Sequence, residues 1–486
     1  MQQYKTITKQ ILFNYIIKAL DFGLMFLLFM VLTRVLSVSD FGIYSILSVT
    51  ILLLSGILRF GLDEFLVRDV AGKRGKIKIK KFSILFKFLF LSSIVIIGLI
   101  LIFNLPLLKL FHLQEISFSF KMVLLIIFCL TLSLFINNGY YQAKKEMNKV
   151  IFFDFLLKSL WALPVIIMVL FYSIDLNKLF LLRFLVIFII FLLLIFLMKK
   201  NKASFFIPLN RNYIKKGLTF GGPIIFLIIS QLVITASDRY ILGFFHGSIK
   251  VSLYSYIYSL LNFVLVISYT IAMIFYPYIV EAWNQKKKEK SNFLFNAYFK
   301  YSLMICLPCT IGLFILRKEL ITMISGPKYL LALPIFPILM FFPLLDMGTI
   351  LYQKTLLIKN KTATISIIYL IGMSLNIILN FLLIPKYHFY GAAIATIITY
   401  IVIFSIFFIK ARNNIQFDFS FTRLKGILIS VVIMGIVISF IHPKIYLTKI
   451  FTIILGIFVY LIALFITKSF VKEELVFIKS LIKRNL

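Results

Sequence analysis

In the first apolar run of the sequence, Asn14, Lys18 and Asp21 are four and three residues apart, a spacing that puts all three on one face of a helix. Asp21 lies near the middle of the run, and a charge at mid-depth of a membrane helix costs roughly 2.5–3.5 kcal/mol on insertion scales. Such a charge faces a cavity or a partner, so the chemistry open to it is capture of an oppositely charged ligand or exchange of a proton or cation. A local Lys18–Asp21 pair that merely neutralises itself is the alternative. The spacing returns in Gln231, Thr235 and Asp238, nearer the outer end of their run and followed by Arg239. Arg59, Lys87, Asp154, Lys158, Arg183, Lys300 and Asp346 also fall within apolar runs. Asp154 and Lys158 are four apart, which allows an internal ion pair. Lys87, Arg183 and Lys300 are expected to snorkel, carrying their charges to an interface on long apolar stems.

Other chemistries find little support. Cys306 and Cys309 have redox spacing but sit with Pro308 in an apolar run, which favours core packing. His112, His246, His388 and His442 are scattered without ligand spacing, so no metal or cofactor is expected. No Gly-x-x-x-x-Gly-Lys loop is present to cradle a nucleotide. The basic residues from Arg68 to Lys87 suit anionic lipid headgroups but serve more simply as a topology signal.

The elements that must position these residues follow from composition. Hydrophobic residues make up 62% of the 486 and charged residues 14%, with a mean hydropathy of +1.05, far from the roughly 25% charged content of soluble domains. About 20 apolar residues of helix cross a bilayer core, because each backbone polar group must be satisfied within its own segment. Fourteen such runs begin near Ile11, Phe41, Ser83, Phe120, Ile151, Lys178, Gly217, Val251, Phe295, Ala332, Ala363, Phe389, Leu424 and Tyr446. The net charge of +35 comes from Lys and Arg in short loops, the membrane pattern rather than that of a nucleic-acid binder. If the N-terminus, the loops after even-numbered helices and the C-terminal tail share one side, that side holds 34 of the 52 Lys and Arg and the other holds 12. The richer side is read as cytoplasmic, with both termini inside.

The sequence also repeats itself. Arg34 and Tyr44-Ser45 are echoed by Arg239 and Tyr254-Ser255, and Tyr141-Gln142 with Asn148-Lys149 by Tyr352-Gln353 with Asn360-Lys361. Six helices per copy make the copies parallel, as between the halves of some transporters. The expected architecture is an all-α membrane protein of about 14 transmembrane helices. Two parallel six-helix bundles, residues 1–205 and 206–412, surround a central cavity, and residues 413–486 add two helices and a tail. Asp346 lies between Pro343 and Gly348, where a helix bends, and its approximate counterpart is Asn137 beside Gly139. Acid in one copy and amide in the other suits a coupling or gating position, with a buried hydrogen-bonded carboxyl as the alternative.

The first hairpin, Arg34-Val-Leu36 followed by Asp40-Phe41-Gly42-Ile-Tyr44, and the end of the second helix, Phe60-Gly61-Leu62 with Arg68, resemble the polysaccharide-exporting flippases of the multidrug/oligosaccharidyl-lipid/polysaccharide transporter superfamily. The Asp238-Arg239 pair is similar as well, while Ser37 stands where that family often has Gly. The resemblance implies alternating-access translocation of an undecaprenyl-diphosphate-linked oligosaccharide, an O-antigen, capsule or related glycan, across a bacterial cytoplasmic membrane, without enzymatic chemistry. On this reading Lys18, Arg34, Arg59, Lys158 and Arg239 attract the diphosphate or acidic sugars, and Asp21, Asp238 and Asp346 are coupling or gating positions. The expected partners are that lipid-linked glycan, membrane lipids, a proton or sodium ion, and a glycan polymerase. A small-molecule or cation antiporter of the same superfamily is the nearest alternative, disfavoured because buried bases outnumber buried acids. A membrane glycan polymerase or ligase is the alternative of another class, disfavoured by short outer loops, the longest near Pro106 to Ser119 and Arg317 to Leu331.

Overall fold

The computed structural model describes residues 2–70, 75–102, 117–144, 146–200, 207–412, 421–441 and 445–469, with side chains described from Ile16 onward apart from a few positions. Asn14, His112, His442, most of the outer loop from Pro106 and the basic tail beyond Ser469 lie outside the described side chains. Every regular element among the described residues is helical. In chain order they are α1 (Gln2–Val35), α2 (Val38–Ile57), α3 (Leu62–Asp69), α4 (Gly75–Ile102), α5 (Ser117–Leu134), α6 (Met147–Phe155), α7 (Ala162–Phe171) and α8 (Leu176–Lys200). They continue as α9 (Arg211–Asn284), α10 (Lys288–Ile315), α11 (Arg317–Ser325), α12 (Phe336–Leu339), α13 (Phe342–Ile358), α14 (Thr362–Ala411), α15 (Phe421–Ser439) and α16 (Tyr446–Ile466). Two π-helical turns, Phe135–Tyr141 and Leu156–Leu160, interrupt the fourth and fifth spans.

Among the described residues ten helices are long and apolar enough to cross a membrane. Two of them break once. In α9 the break is at Gly247 (φ 76°, ψ 177°), a backbone region that only glycine enters freely. In α14 it is at His388 (φ 51°, ψ −132°). Counting both halves of each, the bent pair Pro327–Leu339 with Phe342–Ile358 and the shorter Leu424–Ser439 gives the fourteen expected spans. That pair bends by 44° between Leu339 and Phe342, a turn before the Pro343–Gly348 stretch where the bend was expected. Outward-facing side chains on the spans are large and apolar, for instance Ile16 and Leu20 on α1 or Phe458 and Phe465 on α16. Water would penalise that surface and hydrocarbon does not, so the chain is a multi-pass membrane protein.

The chain divides into two compact units, Met1–Val251 and Ser252–Leu486. In the first unit, α2 and α3 run along residues 213–248 of α9. At one end the Ser39 and Ser248 hydroxyls are 2.6 Å apart, and midway Thr50 meets Tyr240 at 2.7 Å. At the other end Gly61 (φ 63°) meets Gly221 so closely that a Cβ on Gly61 would stand 3.0 Å from the Gly221 Cα, while one on Gly221 would land on the Phe60 carbonyl. Tyr213 donates to Asp69 at 3.0 Å beside the Lys81–Asp69 pair at 2.5 Å. Ser37, the departure from the family pattern, is the N-cap of α2. Its hydroxyl accepts from the Asp40 amide at 3.0 Å, satisfying a donor that glycine would leave bare.

In the second unit, Tyr256 stacks on Tyr329 with ring centroids 4.3 Å apart, and Tyr254 meets Thr396 at 3.0 Å. The added helices α15 and α16 pack on α10 through Met304, Ile427, Val431, Met434, Ile438 and Leu464. The Tyr460 hydroxyl donates to the Met304 carbonyl at 2.6 Å. Cys306 is fully buried in α10, as core packing requires.

Candidate functional site

The side chains of Lys18 and Asp21 meet those of Asp154, Lys158 and Ser159 where α1 crosses the π turn that follows α6. Lys18 Nζ lies 3.8 Å from the Asp21 carboxylate and 3.7 Å from that of Asp154. Lys158 Nζ reaches the other Asp154 oxygen at 2.9 Å, and Ser159 donates to Asp21. Asp154 therefore bridges two ammonium groups from different helices. Both lysines keep contact with the surroundings, with Lys18 36% and Lys158 52% exposed, whereas Asp21 and Asp154 are 23% and 19% exposed. Two positive and two negative groups cancel, so the cluster is neutral as it stands. An incoming anion gains from it only by displacing the carboxylates from the lysines.

The local geometry comes from the π turn. An i→i+5 turn changes the helix pitch, and such turns recur at functional sites. Here it carries Lys158 and Ser159, and the Trp161 indole donates to the Lys158 carbonyl at 2.7 Å where the pitch changes back. The earlier π turn holds Asn137, whose side-chain amide donates to the Val150 carbonyl of α6 at 2.9 Å.

The other predicted cations are not gathered into this cluster. Arg34 occupies the last turn of α1, where its charge complements the helix dipole. Sixteen residues of helix separate it from Lys18, roughly 24 Å at 1.5 Å per residue. Arg59 pairs with Asp63 and donates from Nε to the Ser55 carbonyl at 3.2 Å. Arg239 is buried, its backbone N–H donating to Asp238 at 2.7 Å and its guanidinium to the Thr235 carbonyl at 3.1 Å. In the second unit the buried Asp346 accepts a hydrogen bond of 3.0 Å from the half-exposed Tyr269 hydroxyl. On α14, Asn380 donates to Asn376 at 3.0 Å, and Asn376 to Thr399 at 3.3 Å.

Three expectations need correction. Arg183 and Lys300 do not snorkel, because both are buried inside their units, Arg183 over the Trp161 ring at 4.5 Å and Lys300 beside Tyr301 at 5.9 Å. Lys87 does extend, to the Ile207 carbonyl at 3.2 Å. Buried bases do not outnumber buried acids either: among the described residues Arg183, Arg239 and Lys300 stand against Asp63, Asp238 and Asp346. Sequence reasoning missed Ser159, Trp161 and Tyr269. Ser159 had a signal, as a lone hydroxyl next to Lys158 in an apolar run, whereas the tyrosine and the tryptophan look like any other aromatic of the chain.

A family model described as polysaccharide biosynthesis protein matches residues 7–283, and one described as MatE matches residues 223–382. An uncharacterised membrane protein of Methanocaldococcus jannaschii is 28% identical over 222 residues, which are 45% of this chain and 43% of that protein. The match thus spans less than half the length of that relative. Among solved structures, the lipid II flippase MurJ in an inward closed conformation superposes with a TM-score of 0.73 at 18% identity, over 93% of this chain and 98% of its own. An inward-facing multidrug resistance MATE family transporter of the MOP superfamily gives 0.64 at 14% identity, over 81% and 93%. Identities this low carry the fold alone, but the first family model covers more than half of the sequence. By that match the chain belongs to the polysaccharide biosynthesis protein family, and it shares the fold of the two solved structures.

Proposed function

We propose that this chain carries a glycan linked to a polyprenyl diphosphate, undecaprenyl diphosphate in a bacterial cytoplasmic membrane, from the inner to the outer face by alternating access. Sugars and a diphosphate do not cross hydrocarbon unaided, because their hydration has no replacement there. The observation that supports this reading best is the Lys18–Asp154–Lys158–Asp21 cluster. Its two part-exposed ammonium groups share the Asp154 carboxylate, Lys158 from the same segment and Lys18 from α1, so a diphosphate can exchange with Asp154 for both lysines. Return of the carboxylates then expels the cargo and resets the site. No bond of the cargo is made or broken. In this scheme Arg34, Arg59 and Arg239 steer the anion along its path, and both termini are cytoplasmic. Asp346 with Tyr269, and Asp238, are the positions at which a proton or sodium ion drives the cycle. A glycan polymerase would receive the product on the outer face.

The test is leaflet assignment of lipid-linked oligosaccharide in cells lacking the protein and in proteoliposomes that contain it. Accumulation on the inner leaflet, with flipping restored by the wild-type chain and not by Lys18→Ala/Lys158→Ala, is the expected result. Normal flipping by that double variant removes the cluster from the mechanism. A second reading, a cation or small-molecule antiporter, draws on the buried Asp346 with its Tyr269 partner. Cation-driven efflux of an organic cation, without glycan flipping, would select it.

A further inference from the structure

Arg183 projects from α8 into the interior of the first unit and is 8% exposed. It lies seven residues into the helix, about 10 Å from the Leu176 end at 1.5 Å per residue. Its guanidinium is permanently charged, since arginine does not deprotonate in proteins. An isolated buried charge is among the costliest features a fold can carry, and nature pairs it. Yet the protein groups facing it carry no compensating charge. From α2, the Ser48 hydroxyl accepts from Nη1 at 3.4 Å, and Tyr44, hydrogen-bonded to Ser48, stands nearby. From α7's leading edge the Trp161 ring lies 4.5 Å from the guanidinium carbon. Nε has no hydrogen-bond partner, and no carboxylate among the described residues pairs with the guanidinium.

We propose that Arg183, with the Ser48 and Tyr44 hydroxyls, forms a binding site for one small monovalent anion, a halide such as chloride, inside the first unit. The surrounding groups can donate: the unpartnered Nε–H, the remaining guanidinium N–H groups and the hydrogen-bonded Tyr44–Ser48 hydroxyl pair, which match a spherical anion that accepts from several directions. One fixed positive charge balances one negative charge, whereas a phosphate or diphosphate would leave a buried excess. Phe180, against Tyr44 with ring centroids 6.1 Å apart, and Trp161 wall the site with apolar surface, which favours a weakly hydrated ion. The site shares Trp161 with the turn that carries Lys158, but its charge is Arg183 alone, and its test does not depend on which cargo the protein moves.

The full chain has two tryptophans, Trp161 and Trp283, so Trp283→Phe leaves the emission of Trp161 alone. In purified protein held in gluconate, iodide is expected to quench that emission with a saturating component, which chloride displaces and phosphate does not. Arg183→Gln should lose the saturating component and keep only the linear, collisional one. Ser48→Ala, which retains the guanidinium, should shift saturation to higher iodide. Linear quenching by the Trp283→Phe protein overturns the proposal, as does saturation that survives Arg183→Gln. If Arg183→Gln fails to accumulate, an unchanged iodide dependence in Ser48→Ala overturns it. Displacement by phosphate as readily as by chloride overturns the assigned anion class.

Discussion

Replacing Asp154 by Asn keeps the shape of the cluster and removes the charge that two lysines share, so the variant should bind a diphosphate more tightly and transport it more slowly. The Coulomb attraction at 2.9 Å and 3.7 Å is about 6 and 4.5 kcal/mol at an effective dielectric constant of 20. Most of that is offset by lost hydration and side-chain freedom. With Lys18 and Lys158 36% and 52% exposed, each contact belongs near the measured range for accessible pairs, about 0.2–1 kcal/mol. A diphosphate must displace both, so their removal should improve binding by about 0.5–2 kcal/mol, roughly two- to thirtyfold. The assay is titration of the purified variant with a soluble short-chain prenyl diphosphate, repeated over a salt series because screening weakens part-exposed contacts. Lys18→Ala should cost more affinity in the Asp154→Asn background than in the wild type, since the freed lysine then acts on the ligand alone. Release slows by the same factor as binding tightens, so flipping falls. Binding that is unchanged or weakened in Asp154→Asn refutes the exchange mechanism, even if flipping is lost.

Other substitutions probe the scaffold and the second unit. Gly221→Ala places a methyl group on the Phe60 carbonyl; a forced shift of backbone against backbone should cost about 1–3 kcal/mol, read as a lower unfolding midpoint in detergent. Ser37→Ala removes the α2 cap and should cost about 0.5–2 kcal/mol, whereas Ser37→Gly should cost only a few tenths, measured in the same way. Asp346→Asn should flatten the dependence of flipping on an imposed pH gradient, and Tyr269→Phe, which removes only the 3.0 Å hydrogen bond, should shift that dependence without abolishing it. Lys144 lies between the fourth and fifth spans with Nζ 4.3 Å from the centre of the Tyr140 ring, and burial, helped by Lys149, holds its ammonium below the ordinary value of 10.5. Between the folded value and 10.5 the unfolded chain binds more protons, so this group makes stability rise with pH in that window. Lys144→Met should remove that rise in unfolding midpoints measured between pH 8 and 11.

Much of the fold is legible in the sequence because a membrane makes helix placement nearly one-dimensional. Each span must satisfy its own backbone and be apolar for about 20 residues, so starts read near Phe41, Lys178 or Ala363 fall within a few residues of α2, α8 and α14. The breaks at Gly247 and His388 fall between consecutive runs for the same reason. What depends on how helices rotate against one another was not legible. Arg183 and a snorkelling arginine look identical in a string of apolar residues, and only the packing of α8 on Trp161 and Ser48 distinguishes them. Nor does a π turn announce itself, since its signal lies in the hydrogen-bond register and not in residue type.

The charged site shows the same division and says which inference from charge is sound. Spacing within a helix predicts the Asp154–Lys158 pair, which is present, but cannot predict that Lys18 on another helix joins it. Counting buried bases against acids is uninformative, because Arg59 is consumed by Asp63 and Arg239 lies beside Asp238. A cation already satisfied by its own helix can help steer an anion but makes no direct contact with it. The lysines that can act on an anion are those whose counter-charge is shared across helices and whose ammonium remains accessible, for there a small relative motion of α1 and α6 changes both the partner and the affinity. In the first unit Lys18 and Lys158 meet both conditions; on the proposed mechanism, motion of α1 against α6 parts Lys18 from Asp154, and the ligand's own charge must still displace Asp154 from Lys158.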